Sequence, residues 1–216
     1  SDVCSSDLLD DTLVLYTSDH GEMLGDYNCY GKRSFLDPSA RVPLLARYPE
    51  RFRAGHECDT PVSLVDILPT CLAAAGLTPT DDHDGADLAA LAGGNTNRQA
   101  VIGQFSEGAR GVYMLVTREH KYVYSAADSR EWLFQRLPGR MEERNLAGNP
   151  AFNRVLTAHR DRMISWLRED GYDMAVGGDG WREFDAPEPI PSDPDAWQKK
   201  KKRNQEKTKK IGRAHV

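Results

Sequence analysis

Apolar positions fall into two regimes along the chain. Residues 12–17, TLVLYT, form a short apolar run without helical period, which predicts a buried strand, parallel and central in its sheet. The run ends abruptly at Ser18-Asp19-His20-Gly21. A second run, VPLLAR over residues 42–47, predicts a strand with Pro43 at its start or on an edge. Between the two lies a polar loop rich in Gly, Asn, Tyr and Asp. Further on, Asp66 is placed to cap a helix, with Pro69 tolerated in its first turn. Leu68, Leu72 and Ala75 make its stripe, and Gly76 closes it. Residues 78–98 are polar and rich in turn formers, as in a linker.

The second regime begins near residue 100. Residues 100–105, 112–117 and 121–125 predict three short strands, and 131–135 a fourth, punctuated by turns, as in an antiparallel meander. Asn149-Pro150 then opens the longest helix. Phe152, Val155, Leu156, His159, Met163, Trp166 and Leu167 repeat at three and four residues, so one face is buried, with His159 as a packing residue. Gly171 ends it. Beyond Gly177 the chain is rich in Pro, Asp and Gly, which predicts irregular backbone.

Composition narrows the classes. Apolar content of 39% with 28% charged residues fits a globular chain, and no apolar run approaches the ~20 residues of a membrane span. The net charge of −5 conceals a basic run at 199–210, KKKKRNQEKTKK, without interleaved aromatics. It reads as a solvated tail, and the acidic remainder argues against a nucleic-acid partner. Both end strings back-translate to one short sequencing-adapter sequence, residues 2–8 as its reverse complement and 211–216 directly. They are expected to be read-through rather than native sequence, which removes Cys4 from consideration. Cys29, Cys58 and Cys71 lack paired or zinc-type spacing and read as structural or free thiols.

The chemistry concentrates in Asp-His-Gly directly after a strand. Ligands of open α/β sheets bind beyond the carboxyl ends of strands. An adjacent Asp and His can there offer an oxygen and an imidazole nitrogen to one divalent cation, while Gly21 lets the backbone turn away. Alone the tripeptide is a weak signal, since a turn Asp and a surface His read the same way.

Its surroundings strengthen it. The stretch TLVLYTSDHGEMLGDYNCYGKRSFLDPSARVPLLARYP resembles the C-terminal metal motif of the sulfatase family, within the alkaline phosphatase superfamily. CDTPVSLVDILPTCLAAAGL resembles the helix that follows, and HKYVYSAADSREWLFQRLPGRMEERNLAGNP resembles the family's C-terminal strands. Phe134-Gln135 stands where Tyr-Asp is usual, and Gly139-Arg140 where an acidic pair is common. The resemblance runs from residue 10 to about 176.

The resemblance implies an α/β chain: the C-terminal part of an alkaline-phosphatase-like α/β/α sandwich, with a small antiparallel-sheet-plus-helix subdomain. Residues 9–98 would belong to the catalytic domain, 99–176 to the subdomain, and 177–210 to an irregular basic tail, between end strings at 1–8 and 211–216. Asp19 and His20 would be metal ligands and Lys32, in the Gly-Lys pair, the catalytic and substrate-binding cation. The metal implied is Ca²⁺, although an imidazole ligand also suits Mn²⁺ or Zn²⁺. Arg33 and Arg41 read as ion-pairing residues, and His56, His83 and His120 as surface histidines. The implied partner is a sulfated small molecule or sulfated glycan, and the implied compartment is periplasmic or secreted. The formylglycine motif C/S-x-P-x-R is absent, so the nucleophile is expected upstream. Two alternatives stay open: a phosphonate monoester hydrolase or phosphodiesterase of the same superfamily, and a non-catalytic binding module.

Overall fold

The computed structural model describes residues 7–78, 83–94, 97–137, 141–172 and 174–185. The chain divides into two units, Ser1–Phe184 and Asp185–Val216, and of the second only Asp185 lies among the described residues. The basic run and the 211–216 string therefore lie outside them, as do residues 1–6.

Strand β1 (Val14–Tyr16) pairs with β2 (Leu45–Arg47), Tyr16 opposite Leu45. The pairing is antiparallel and two-stranded, not parallel and central as expected. Nor is the run buried: Val14 is 41% and Tyr16 62% exposed. An apolar run encodes a preference for cover, and among the described residues only β2 flanks this one. Pro43 sits just ahead of β2, where its missing N–H costs no ladder bond. A short helix, α1 (Asp37–Ala40), with Pro38 in its first turn, lies between the strands.

Helix α2 (Ile67–Ala74) follows a 3-10 turn, Leu64–Asp66. Ser63 and Asp66 form a reciprocal capping box on the 3-10 turn, so Asp66, at the N-cap position of α2, turns its carboxylate back to Ser63 and makes no side-chain cap bond to α2 itself. Gly76, at φ 70°, closes the helix, with Leu77 N–H donating to Leu72 O at 2.9 Å. The predicted stripe is not the buried face: Leu68 is 58% exposed, whereas Asp66, Pro69 and Thr70 are buried. A polar network rotates the helix. The Asp66 carboxylate accepts from Ser63 N–H and Ala86 N–H at 2.8 Å each and from Arg98 Nη1 at 2.5 Å. Thr70 Oγ1 donates to Asp66 O at 2.6 Å and accepts from Leu88 N–H at 2.8 Å.

The expected linker thus contains structure. Helix α3 (Leu88–Ala92) is capped by Asp87, which accepts from Ala89 and Ala90 N–H, and buries Leu88 and Leu91. Thr70→Val, isosteric but unable to bridge, is expected to cost about 1–3 kcal/mol by stranding Leu88 N–H. A urea titration of the chain reads that loss as a lower midpoint at unchanged slope.

The meander forms as the short runs and intervening turns predict. Strands β3 (Ala100–Phe105), β4 (Val112–Thr117), β5 (His120–Ser125) and β6 (Arg130–Gln135) pair antiparallel in that order. Helix α4 (Asn153–Glu169) packs Leu156, Met163, Ile164 and Leu167 on the sheet, in one core with Tyr113, Leu115, Tyr122 and Leu133. His159 is a packing residue: its ring nitrogens meet Val155 O at 2.8 Å and Thr117 Oγ1 at 3.2 Å. Beyond Gly177, where irregular backbone is expected, residues 182–185 have neither helix nor strand, but a short hairpin precedes them. Strands β7 (Val176–Gly177) and β8 (Gly180–Trp181) form a hairpin with Gly178 at φ 52° in its turn. Trp181 fixes it, stacking on Tyr124 at 4.0 Å and Tyr113 at 5.3 Å between centroids.

Candidate functional site

The chain leaves β1 through Thr17 and Ser18 and delivers Asp19 and His20 into the loop beyond the strand end. Ser18 Oγ donates to His20 O at 2.8 Å, which tightens the turn. Gly21 then passes under α1, where its N–H donates to Ser39 O at 2.8 Å. A Cβ on Gly21 would stand 2.0 Å from Pro38 O, so close backbone approach, not an unusual φ, demands glycine here.

Asp19, His20 and Lys32 converge. His20 Nε2 lies 3.3 Å from Asp19 Oδ2 and in hydrogen-bond contact with Lys32 Nζ. The His20 tautomer follows from its other nitrogen: Nδ1 is 2.7 Å from Gly21 O, which can only accept. Nδ1 therefore carries the proton, and the Nε2 lone pair faces Asp19 and the Lys32 ammonium. A ring N–H donated to a backbone carbonyl is the usual support of a metal-ligating histidine. Two adjacent ligands of a Ca²⁺-sized ion at 2.3–2.6 Å stand roughly 3.3–3.7 Å apart at a right angle. The Asp19–His20 separation matches that spacing, and the Lys32 ammonium lies against His20 on the same side. The donor set thus fits a divalent cation but is partial: among the described residues no three His, Cys, Asp or Glu side chains are placed to share one metal.

Asp19 keeps its charge easily. Desolvation, the largest single influence, raises its pKa, and is outweighed by the combined effect of His20 when its ring is protonated, of backbone hydrogen bonds at His20 and Asp19, and of Lys32. The carboxyl therefore titrates below the ordinary aspartate range.

The site loop is anchored to the meander by residues that the sequence marked only as strand or loop. Lys121, on β5 and 3% exposed at its side chain, donates to Phe35 O at 2.9 Å and pairs with Asp37 and with Glu142 at 2.5 Å. Glu142 returns to the loop, its carboxylate accepting from Asp37 N–H at 2.7 Å and its own N–H donating to Tyr27 Oη at 2.7 Å. Ser39 Oγ, in α1, donates to Lys32 O at 2.6 Å. A continuous path therefore runs from β5 through α1 to Lys32 and Gly21. The available signal was an ionisable residue inside the apolar strand HKYVYS.

Of the other candidates, Arg41 does pair with Asp37, at 3.4 Å. His120 is not a surface residue: it is half-buried, packed on Phe152 and His159, and desolvation lowers its pKa. His56 is exposed and touches Ala92 O at 3.1 Å. Asp19 lines one wall of a cleft of about 1060 Å³, whose far wall includes Val101, Met114, Arg118 and Arg136 of the meander and its connections.

Comparison with known proteins gives consistent matches. Residues 25–169 match the family model for the C-terminal region of N-sulphoglucosamine sulphohydrolase. A choline-sulfatase of Rhizobium meliloti (strain 1021) is 35% identical over 177 residues, covering 78% of this chain and 34% of that protein. An arylsulfatase of Clostridium perfringens is 30% identical, covering 76% of this chain and 36% of its own. Among solved structures, a 2-O glycosaminoglycan sulfatase superposes with TM-score 0.69 at 23% identity, covering 79% of this chain and 39% of its own. A phosphonate monoester hydrolase of Silicibacter pomeroyi superposes with TM-score 0.61 at 28% identity, covering 83% and 40%. The chain spans about a third of the length of the curated relatives it matches.

Proposed function

The chain belongs to the sulfatase family, in that family's C-terminal region, and on this premise we propose that it supplies part of the active site of a sulfuric ester hydrolase. The observation that supports this most is the convergence of Asp19 Oδ2, His20 Nε2 and Lys32 Nζ just beyond β1.

In this reading Asp19 and His20 hold a divalent cation. Ca²⁺ is favoured by the carboxylate, with Mn²⁺ or Zn²⁺ served by the imidazole. The cation would supply Lewis-acid polarisation of the ester oxygens. His20 keeps its lone pair aimed at the site because Gly21 O fixes its proton on Nδ1. Lys32 presents a positive charge to oxygens that become more negative as the ester bond breaks, held in place through Ser39. A formylglycine nucleophile, as the sulfatase resemblance implies, would come from outside this chain. The substrate would be a sulfated small molecule or glycan. Among the described residues no helix is long and apolar enough to cross a membrane.

A phosphonate monoester hydrolase is the second reading, favoured by the likeness to that Silicibacter enzyme. The two separate by assay. The polypeptide encoded by the longest reading frame containing this segment is expected to turn over 4-nitrophenyl sulfate in preference to 4-nitrophenyl phenylphosphonate. The 216-residue chain alone is expected to show negligible turnover of either. Preference for the phosphonate would replace the proposed reaction, and robust sulfate hydrolysis by the chain alone would show that its own residues complete the site.

A further inference from the structure

The cleft holds a cation that the proposed reaction does not use. Arg136, just past β6, is half-buried, and Nη1 donates to two carbonyls, Thr117 O at 2.8 Å and Arg118 O at 3.2 Å. Among the described residues no carboxylate lies within ion-pair distance of its guanidinium. The other cations on the cleft are engaged: Arg118 with Asp59 at 2.6 Å, Lys121 with Asp37 and Glu142. Among the described residues the one ion-pair partner of Arg41 is Asp37, at 3.4 Å, which it shares with Lys121.

Arg136 and Arg41 are electrostatic neighbours. Desolvation, and then the charge of Arg41, push the Arg136 pKa below its usual value, against the weaker pull of Asp37, Asp59 and Glu142. A half-buried guanidinium that shares its cleft with a second guanidinium, and has no carboxylate in ion-pair contact, is costly unless an anion completes it. The planar donor fork of arginine suits a carboxylate or a sulfate.

Position and room agree. Arg41, Arg136 and Asp19 line the same cleft, and Arg41 directly follows α1, the helix that holds Gly21 and Lys32 through Ser39. The cleft volume, about 1060 Å³, is slightly above the ~300–1,000 Å³ span of small-molecule sites, larger than a sulfate head alone requires.

We propose that Arg136 and Arg41 form a second anion site, which binds an acidic group on the non-reacting part of the substrate. The substrate is then a sulfated sugar carrying a second sulfate or a carboxylate, and not a small cationic ester such as choline sulfate. This rests on the sulfate-ester reading of the Asp19, His20 and Lys32 site.

The test is an NMR titration of the 216-residue chain at fixed ionic strength with four probes. They are N-acetylglucosamine 6-sulfate, glucosamine-2-N,6-O-disulfate, a uronate-bearing monosulfated disaccharide, and choline sulfate. At least one bis-anionic probe is expected to bind about tenfold tighter than the monosulfate, with choline sulfate weakest. A gain for the disulfate alone assigns a second sulfate, a gain for the uronate alone assigns a carboxylate, and a gain for neither overturns the proposal. Arg136→Gln and Arg41→Gln should each erase the advantage and leave monosulfate affinity unchanged. Arg41 is exposed, so its variant reads the site even if loss of the Arg136 hydrogen bonds loosens the fold. An advantage that survives both variants also overturns the proposal. If Lys32→Gln weakens no probe while Arg136→Gln erases the advantage, the anion site stands and the sulfate-ester reading falls. If Lys32→Gln weakens every probe and Arg136→Gln none, the reverse holds.

Discussion

Replacing Lys121 with methionine is expected to destabilise the chain by about 3–5 kcal/mol, the usual cost of removing one partner from a buried ion pair. The side chain is 3% exposed, and its carboxylate partners Asp37 and Glu142 are 26% and 6% exposed. Methionine fills much the same space but leaves two negative charges facing each other, with Phe35 O deprived of its donor. The two carboxylates are unequal. Burial is the largest influence on Glu142 and raises its pKa, whereas at Asp37 burial is outweighed by Lys121 and Arg41, and its pKa is lowered. Glu142, with its folded pKa raised, contributes stability that is present below the ordinary glutamate range and lost as pH rises through the raised value. Asp37 runs the other way, contributing above the ordinary aspartate range and losing that contribution as pH falls through its lowered pKa. Glu142→Gln should therefore flatten the decline in stability between mildly acid and neutral pH. Added to Lys121→Met, it should recover part of the loss, because it removes the more deeply buried of the stranded charges. Urea midpoints of the three variants across that pH range read both effects. Full additivity of the two substitutions would mean that the residues do not act as a unit.

What the sequence made legible divides along the same physical line. The meander and α4 were readable because they cover each other: Leu133 and Tyr122 of the sheet meet Leu156 and Met163 of the helix within one chain. Short β-rich runs parted by turns, and a helical repeat of three and four, are then sufficient signals. The run at residues 12–17 has an equally clear apolar pattern, yet Tyr16 is open, because pattern encodes a demand for cover without saying what supplies it. In α2 the apolar stripe misled because Asp66 and Thr70, reaching Ala86, Leu88 and Arg98, set the helix rotation through contacts distant in sequence. Helix α3 was missed although Asp87 before LAALA is a capping signal, its five residues being too few to show a period. In the candidate site, Asp19 and His20 stood out from their place after a strand, and Lys32 only through the resemblance. Lys121, Glu142 and Arg136 were not singled out, since their significance lies in burial and in partners up to 115 residues away.

Lys32→Gln, made in the polypeptide that carries this segment together with its nucleophile, is expected to lower kcat/KM for a sulfate ester by about 10²–10³-fold. That magnitude is typical for removing one preorganised donor from oxygens that gain charge in the transition state. Stability should barely move, because the Lys32 side chain is exposed and the loop is held through its carbonyl, by Ser39 Oγ. Metal affinity separates this role from a merely supporting one. In the chain as folded here the Lys32 ammonium donates to His20 Nε2, the atom that would ligate the cation. Taking the ammonium away frees that lone pair and lifts a like charge from the cation position. Mn²⁺ or Ca²⁺ should consequently bind the variant at least as tightly as the parent, as read by calorimetric titration, while turnover collapses. Weaker metal binding in step with the lost turnover would instead make Lys32 a support for Asp19 and His20, and the substrate oxygens would need another cation.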